Sequence, residues 1–460
     1  MKLIPIPGFP ELQPNEEIVM QGVMDKIKII YQRFGFIPLD TRLIELEEVL
    51  VKKGIDNKQV YCLGRLKEGQ VDIGREEQQT HALRFDLTVP LARYVGQNYK
   101  KLTFPYKRYQ IQKVYRGESA QHSTGRYREF YQCDIDIIGR NKLSFTYDSE
   151  LPAIIYMIFT QVLNIDRFVM RINNRKLLEG LFIEYGIASD GIKRAIKVID
   201  DMEKISRGEI CERLAEVGLT GEQAEELLEL FKVVRSARPM DALKLLTEKN
   251  YQNEMLQQGL AELALVIKGI DSSGVPDENY CVDPSIARGL DYYTGTVYET
   301  NLLDYRHLGS VCSGGRYSDL ISSLIGNDTK YPGVGLSIGL SRLIPALIKS
   351  GHLPATVCTC APILVTTQDI EMLETYQRIA TILRLENMNV DVFYDDVKLA
   401  KQLNYANNKG HRWVVIANRG ELEEETVIVR DMTDKTQTTV SFNNLVNFFK
   451  THLESGCKSF

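Results

Sequence analysis

Apolar positions along this chain change period repeatedly, and each change predicts an element. From Glu16 to Gly35 the pattern is helical, with Ile18, Val19, Val23, Ile27 and Ile30 on one side. "FGFIPLDTRLIELEEVLVKKG" then reads as a short strand, a turn and a second helix that stops at Gly54. "QVYCLG" predicts a strand, and "ALRFDLTVPLARYV" a strand-to-helix step. "LPAIIYMIFTQVL" predicts a buried helix, and "RFVMRINN" a strand. From Arg175 to about Ile270 helix formers dominate, with "AEELLELFKVV" the clearest amphipathic run, so an inserted helical module is expected there. Strands resume at "YCVDPSIARGLDYYTGTVYET", a glycine-rich turn is expected at "CSGGRY", and "GVGLSIGLSRLIPALI" reads as a strand running into a helix. Beyond "SGHLPATVCTCAP", the strand-like runs "APILVTT", "NVDVFY" and "WVVIA" alternate with helical segments, which predicts a small α/β domain. The expected organisation is one domain in two parts, 1–174 and 271–350, interrupted by a helical insertion at 175–270 and followed by a domain at 361–460.

One stretch has period two with unusual contents. In "YRGESAQHSTGRYREFYQCDID", Tyr115 to Asp136, two arms flank nine residues, Gly117 to Gly125. Side chains alternate across a strand. Arg126, Arg128, Phe130, Gln132, Asp134 and Asp136 therefore share one face. Tyr127, Tyr131, Cys133, Ile135 and Ile137 share the other, with Glu129 the exception. The first arm places Arg108, Gln110, Gln112 and Arg116 in the same register. Two readings are open: a solvated sheet face, or a ligand floor on which arginines near the loop hold phosphate and deeper acids hold a cation or hydrogen-bond donor.

Composition narrows the classes. The 460 residues suffice for several domains, 25% are charged and 44% hydrophobic, and the net charge is −5, so any polyanion must be met by local patches. In 361–460 there are 11 Lys and Arg against 14 Asp and Glu, although Lys398, Lys401, Lys409 and Arg412 cluster around one predicted helix. No run of about 18 apolar residues is present and the start shows no basic-then-apolar leader. The eight cysteines are scattered, with one C-x-C at Cys358 and Cys360 and no zinc-ligand spacing. A reduced, cytoplasmic protein without a metal site of its own is expected.

The glycine-rich stretches fit neither a P-loop nor the Rossmann spacing, so arginine-rich antiparallel strands are the better candidate for a nucleotide site. At this point the chain resembles the class II aminoacyl-tRNA synthetases, and within them the histidyl-tRNA synthetase family. "FGFIPLDTRLIE", "YRGES…GRYREFYQCDID" and "GLSIGLSRL" resemble the three motifs of the class, and "ARGLDYYTGTVYE" and "SVCSGGRYSDL" the two stretches peculiar to histidyl enzymes. The likeness covers nearly the whole chain. It implies an α+β catalytic domain with a mixed, mainly antiparallel sheet and flanking helices, a helical insertion, and a C-terminal α/β anticodon-binding domain. It also implies a homodimer acting on ATP, L-histidine and tRNA(His), with Mg²⁺ accompanying ATP.

The resemblance further implies roles. Arg116 would clamp the α-phosphate and the substrate carboxylate, and Glu118 would meet the adenine amino group. Arg126 and Arg342 would hold the outer phosphates, and Arg288 would stabilise the transferring phosphoryl group. Asp86, Thr88 and Gln132 would receive the α-amino group, and Asp136 and Tyr293 the imidazole, with Tyr292 beside them as packing. Gly314 and Gly315 would let backbone approach the substrate, and His122 would touch the tRNA acceptor end. Two positions depart from the family pattern. Arg42 stands where the first motif usually has proline, at the dimer interface of the class. Ser341 stands where the third usually has glutamate, near ATP. The competing readings are a non-catalytic paralogue, such as a regulatory subunit of ATP phosphoribosyltransferase or the synthetase-like domain of a starvation-sensing kinase, and a plain RNA-binding module. The first generally lacks the C-terminal domain, the second needs a kinase segment, and the third has no use for Asp86, Gln132, Asp136 and Tyr293 together.

Overall fold

The computed structural model describes residues 3–51, 59–67, 70–72, 80–121, 125–287, 293–326 and 328–454. By their contacts they form two units: Met1–Pro10 with Val23–Ser350, and Glu11–Gly22 with Gly351–Phe460.

The first unit is organised by an eight-stranded sheet. Its strands, numbered along the chain, are β1 (Ile37–Pro38), β2 (Tyr106–Tyr115), β3 (Glu129–Ile138), β4 (Phe168–Asn174), β5 (Tyr280–Val282), β6 (Tyr293–Leu302), β7 (Ser310–Tyr317) and β8 (Gly333–Gly339). Their spatial order is β1-β2-β3-β8-β7-β6-β4-β5. The inner pairings are antiparallel and only the two edge pairings, β1 with β2 and β5 with β4, are parallel. The period-two arms are β2 and β3, in the register Arg108↔Asp136, Gln110↔Asp134 and Gln112↔Gln132. Cys133, Ile135 and Ile137 are buried on one face, where the Tyr31 hydroxyl lies 3.2 Å from the Cys133 sulfur. Tyr31 belongs to the helix Pro14–Arg33, whose Val23, Met24, Ile27 and Ile30 are also buried.

The opposite face of β2 and β3 is not solvated. Arg108, Gln110, Asp134 and Asp136 are 0–3% exposed. Polar side chains are covered this completely only where they satisfy one another or serve a ligand, so the solvated-face reading does not hold. The arms are also shorter than the alternation suggested: Arg126 and Arg128 precede β3. Arg128 instead donates through Nε to the Glu118 carbonyl at 3.0 Å, while its backbone N–H meets the Gly8 carbonyl. "CSGGRY" is no turn but the body of β7, in mid-sheet. The two glycines suggested a turn, whereas the sheet needs them for close approach. A Cβ on Gly314 would strike the Gly335 carbonyl, and one on Gly315 would lie 2.7 Å from the Thr296 carbonyl and 3.0 Å from the Tyr293 ring.

Residues 175–272 run as six helices, from Arg175–Glu184 to Glu254–Ser272. Side-chain caps start four of them: Asn174 accepts from Lys176 N, Ser206 from Glu209 N, Asn253 from Leu256 N, and Thr220 forms a capping box with Gln223. The first and last helices cross closely, since a Cβ on Gly180 would sit 2.5 Å from Leu256 N.

The second unit holds a five-stranded sheet in the order Val390–Val392, Ile363–Val365, Trp413–Ile416, Thr426–Asp431, Gln437–Ser441, parallel over the first three strands and antiparallel after. Its core gathers Ile363, Val365, Tyr376, Leu383, Trp413, Val415 and Phe449. Asn15 Nδ2 donates to the Ala355 carbonyl within this unit at 2.8 Å.

Candidate active site

Where β2 ends, Arg116 leaves the sheet between two aromatic rings. Its guanidinium lies 4.4 Å from the Phe85 ring centroid and 5.1 Å from that of Phe130, and Nε donates to the Phe85 carbonyl. Stacking leaves the planar fork oriented along its edge. Arg116, Glu118, Gly125, Arg126, Gln132 and Arg342 line a cavity of about 150 Å³. Arg342, from the helix Leu340–Lys349, is fixed by donating to the carbonyls of Leu308 and Ser310 at 3.3 and 3.0 Å. Burial lowers its pKa, with repulsion from Arg126 and Arg116 adding and Glu118 opposing. Three guanidinium groups around one small cavity, with one carboxylate among them, make an anion site. Gly125 permits the closeness: its φ is +65°, and a Cβ there would press on Arg342 Cγ at 2.9 Å.

The next cavity along the trough is smaller, about 20 Å³, and lined by Thr88, Asp134, Asp136, Tyr293, Tyr317 and Gly335 among others. Asp136 Oδ2 meets Arg108 Nη2 at 2.6 Å, and Oδ1 accepts from the Tyr317 hydroxyl at 3.0 Å. Gly335 lies opposite Asp136 in β8, where a Cβ would strike the carboxylate. Asp86, 2% exposed, accepts from Val89 N at 3.0 Å through Oδ1 at the start of the helix Thr88–Asn98. Gln132 Nε2 donates to Ser337 Oγ at 2.9 Å. Several buried atoms here have no protein hydrogen bond: Asp86 Oδ2, Arg108 Nε and Nη1, Gln132 Oε1 and Asp134 Oδ1. Burial raises the pKa of Asp86, lifts Asp134 to about 7 and Asp136 to about 6, with Arg108 opposing the rise in all three. Three buried carboxylates crowd one buried arginine, so this end attracts cations and hydrogen-bond donors. Ser313 and Ser337 line both cavities and make them one trough.

The structure thus gathers Arg116, Glu118, Arg126, Gln132 and Arg342 at one end, Thr88, Asp136 and Tyr293 at the other, with Asp86 close enough to feel both Arg116 and Arg108. Arg288, Tyr292 and His122 lie outside the described residues. Tyr127, expected on the packing face, lines the arginine cavity. Sequence reasoning gave no role to Arg108, Asp134, Tyr317 or Ser337. Alternation put Arg108 and Asp134 on the correct face, but only the order of strands brings Tyr317 of β7 and Ser337 of β8 beside β3.

Both departures from the family pattern find partners. Ser341 is buried, and its Oγ accepts the Tyr131 backbone N–H at 2.8 Å, tying the helix that carries Arg342 to β3. Arg42 shares the buried Glu45 with Arg93, at 2.9 and 2.7 Å.

The histidyl-tRNA synthetase family model matches residues 8–343, and the anticodon binding domain model matches 360–452. The chain belongs to the histidyl-tRNA synthetase family. A histidine–tRNA ligase of Nostoc sp. is 40% identical, with 97% of each chain covered, and one of Stenotrophomonas maltophilia is 42% identical with the same coverage. The crystal structure of histidyl-tRNA synthetase from Nostoc sp. PCC 7120 matches with a TM-score of 0.88 at 38% identity, covering 98% of this chain and 100% of that one. The mainly antiparallel sheet with its helices, and the C-terminal α/β domain, are the family's architecture.

Proposed function

We propose that this synthetase-family chain is a histidine–tRNA ligase that forms histidyl-adenylate in the trough and passes the histidyl group to tRNA(His). The observation that carries the reading is the trough itself, with arginines at one end, buried acids at the other, and Ser313 and Ser337 along both. The histidine carboxylate is ionised at pH 7 and needs no general base. It attacks the α-phosphorus of ATP, the bond to the β-phosphate breaks, and pyrophosphate leaves. A ribose hydroxyl at the tRNA terminus then attacks the adenylate carbonyl and AMP leaves. Catalysis rests on in-line positioning and on cancelling charge at the phosphoryl group.

Arg116 and Arg288 are the catalytic residues, Arg116 held by its two aromatic neighbours against the α-phosphate and the carboxylate. Arg126 and Arg342 take the outer phosphates and Glu118 the adenine amino group. Asp86, Thr88 and Gln132 take the α-ammonium, whose charge suits the excess of buried carboxylate. Asp136 and Tyr293 take the imidazole, and Tyr292 packs beside it. Among the described residues no group of three or more His, Cys, Asp or Glu is placed to hold a metal. Mg²⁺ carried in on ATP, with phosphate oxygens as its main ligands, would spread the phosphate charge there.

Residues 360–452 contact the tRNA. Lys398 and Lys401 are exposed there, whereas Arg412 lies 5.1 Å from the Trp413 ring centroid and faces Asp431. No helix among the described residues is long and apolar enough to cross a membrane, and a cytoplasmic site of action suits the substrates. The deciding experiment is histidine-dependent exchange of pyrophosphate into ATP, followed by charging of tRNA(His). A purified protein without exchange would favour the non-catalytic regulatory subunit instead.

A further inference from the structure

We propose that Asp283 is a positioning residue for adenylation, holding the chain that leads to Arg288 and Tyr293 through a closed ring of four charges shared with the helical insertion; the proposal rests on the adenylation reading above. Asp283 follows β5 and is fully buried. Its Oδ2 accepts from Arg171 Nε of β4 at 2.7 Å and faces Arg235 Nε of the helix Gly221–Ser236 at 3.1 Å. Glu203, in the turn after the helix Ser189–Asp200, closes the ring, 2.9 Å from Arg171 Nη1 and 3.5 Å from Arg235 Nη1. Two positive and two negative groups thus alternate, and two of them, Glu203 and Arg235, come from the insertion.

The other contacts of this segment act on the same few residues. Asp283 Oδ1 accepts from both Ser285 N and Ser285 Oγ, at 3.0 and 2.5 Å. Arg171 Nη2 donates to Ser285 Oγ at 3.2 Å, and Asn173 Nδ2 donates to the carbonyls of Pro284 and Ile286. Asp283 N donates to the Ile172 carbonyl, and beyond the interval Thr296 of β6 pairs with Asn174. Asp283 and Thr296 are therefore both pinned to β4, Tyr293 pairs with Tyr317 of β7, and Arg288 follows in sequence directly after Ala287, the last described residue of the segment that Asp283 begins. With both oxygens of Asp283 occupied, a displacement of the insertion is felt by Asp283 through Arg235. The reaction needs its phosphoryl-stabilising arginine placed to within about 1 Å, since misplacement of that size costs up to about 100-fold in rate.

Exposure selects the test. The side chains of Arg235 and Glu203 are 45% and 50% exposed, while those of Arg171 and Asp283 are 6% and 0%. Arg235→Met can therefore open the ring from outside without a cavity, in the full-length enzyme. The expected result is a fall in the turnover of histidine-dependent pyrophosphate exchange by about 10-fold. The Michaelis constants for ATP and histidine should stay within about twofold, and the melting temperature within about 3 °C, because the buried Asp283 keeps Arg171 as its partner and the Arg235 side chain is half exposed. Arg235→Lys should restore most of the turnover, and Asp283→Asn, which turns a donor toward two guanidinium groups, should lose about 100-fold. Wild-type exchange activity is the control that separates this proposal from the functional reading beneath it. Unchanged turnover in Arg235→Met would overturn the proposal, as would a loss that follows the melting temperature or that lysine does not rescue. If Asp283→Asn fails to fold, Arg235→Met and Arg235→Lys decide alone.

Discussion

Asp136 is asked to do two things, and substitutions separate them. It neutralises a fully buried arginine, Arg108, and it is the proposed partner of the imidazole. Asp136→Ala strands Arg108 in the interior, which costs about 3–5 kcal/mol of stability and obscures any effect on binding. Asp136→Asn keeps an oxygen for Arg108 but no negative charge. It should raise the Michaelis constant for histidine by at least about 10-fold, the loss expected for one charged hydrogen bond, and leave that for ATP within about twofold. Both constants, measured beside a melting curve, check this; a selective loss for ATP would reverse the assignment of the trough's two ends. Asp134 supplies a pH test. Burial lifts it to about 7 and Asp136 to about 6, against unfolded values near 4. Between about pH 4 and 7 the folded chain therefore holds more protons than the unfolded one, so stability falls as pH rises through that window. Asp134→Asn should raise the melting temperature at pH 8 in the absence of substrates, by no more than about 4 kcal/mol in stability, with the advantage gone below about pH 4. A difference that does not vary with pH would count against a buried, proton-holding Asp134.

At the scale of elements, the helix Leu340–Lys349 is the link between sheet and arginine cavity. Its second residue, Ser341, accepts the Tyr131 N–H, and its third, Arg342, faces the arginine cavity. Ser341→Ala leaves a backbone donor of β3 without its acceptor, at a cost of about 1–3 kcal/mol. Because the helix then shifts at the position beside Arg342, the Michaelis constant for ATP should rise more than that for histidine. Thermal melts and the two constants test this together; a stability loss with both constants unchanged would make Ser341 a fold residue only. Ser341 thus supplies a strand-to-helix tie at the position where the resemblance implies a glutamate.

For the whole molecule, chain ends and surfaces carry the expectations. A chain ending near Gly351 should keep histidine-dependent pyrophosphate exchange and lose most charging of tRNA(His), since the trough lies wholly within the first unit. Equal charging by the shortened chain would refute a tRNA role for 360–452. Loss of exchange would mean that Glu11–Gly22, which packs with the removed unit, must be held for the fold to persist. Within residues 29–44, Ile29, Ile37, Leu43 and Ile44 remain 39–51% exposed, apolar surface that a second copy would cover. Light scattering should find twice the chain mass at micromolar concentration, and a monomer there would contradict the homodimer.

Local periodicity was enough for much of this protein. The two arms of the hairpin, the helical run from Arg175, and the alternation beyond residue 361 follow from spacing and composition, because burial of one face imposes its period on the sequence. The two faces of β3 were legible for the same reason. Periodicity does not record how deeply a polar face is covered, nor which distant strand lies beside it. Gly314 and Gly315 read locally as a turn. Only the sheet places them where Cβ atoms would meet the Gly335 carbonyl and the Tyr293 ring. Tyr317 and Ser337 are about 180 and 200 residues from their partners Asp136 and Gln132, so no window along the chain could join them. The sequence by itself therefore determined the elements, the residue types and the family likeness. The tertiary structure decided that the acids are buried around Arg108, that one trough joins them to the arginines, and that Asp283 pairs with Arg235 of the insertion, because burial and pairing at such separations are properties of packing.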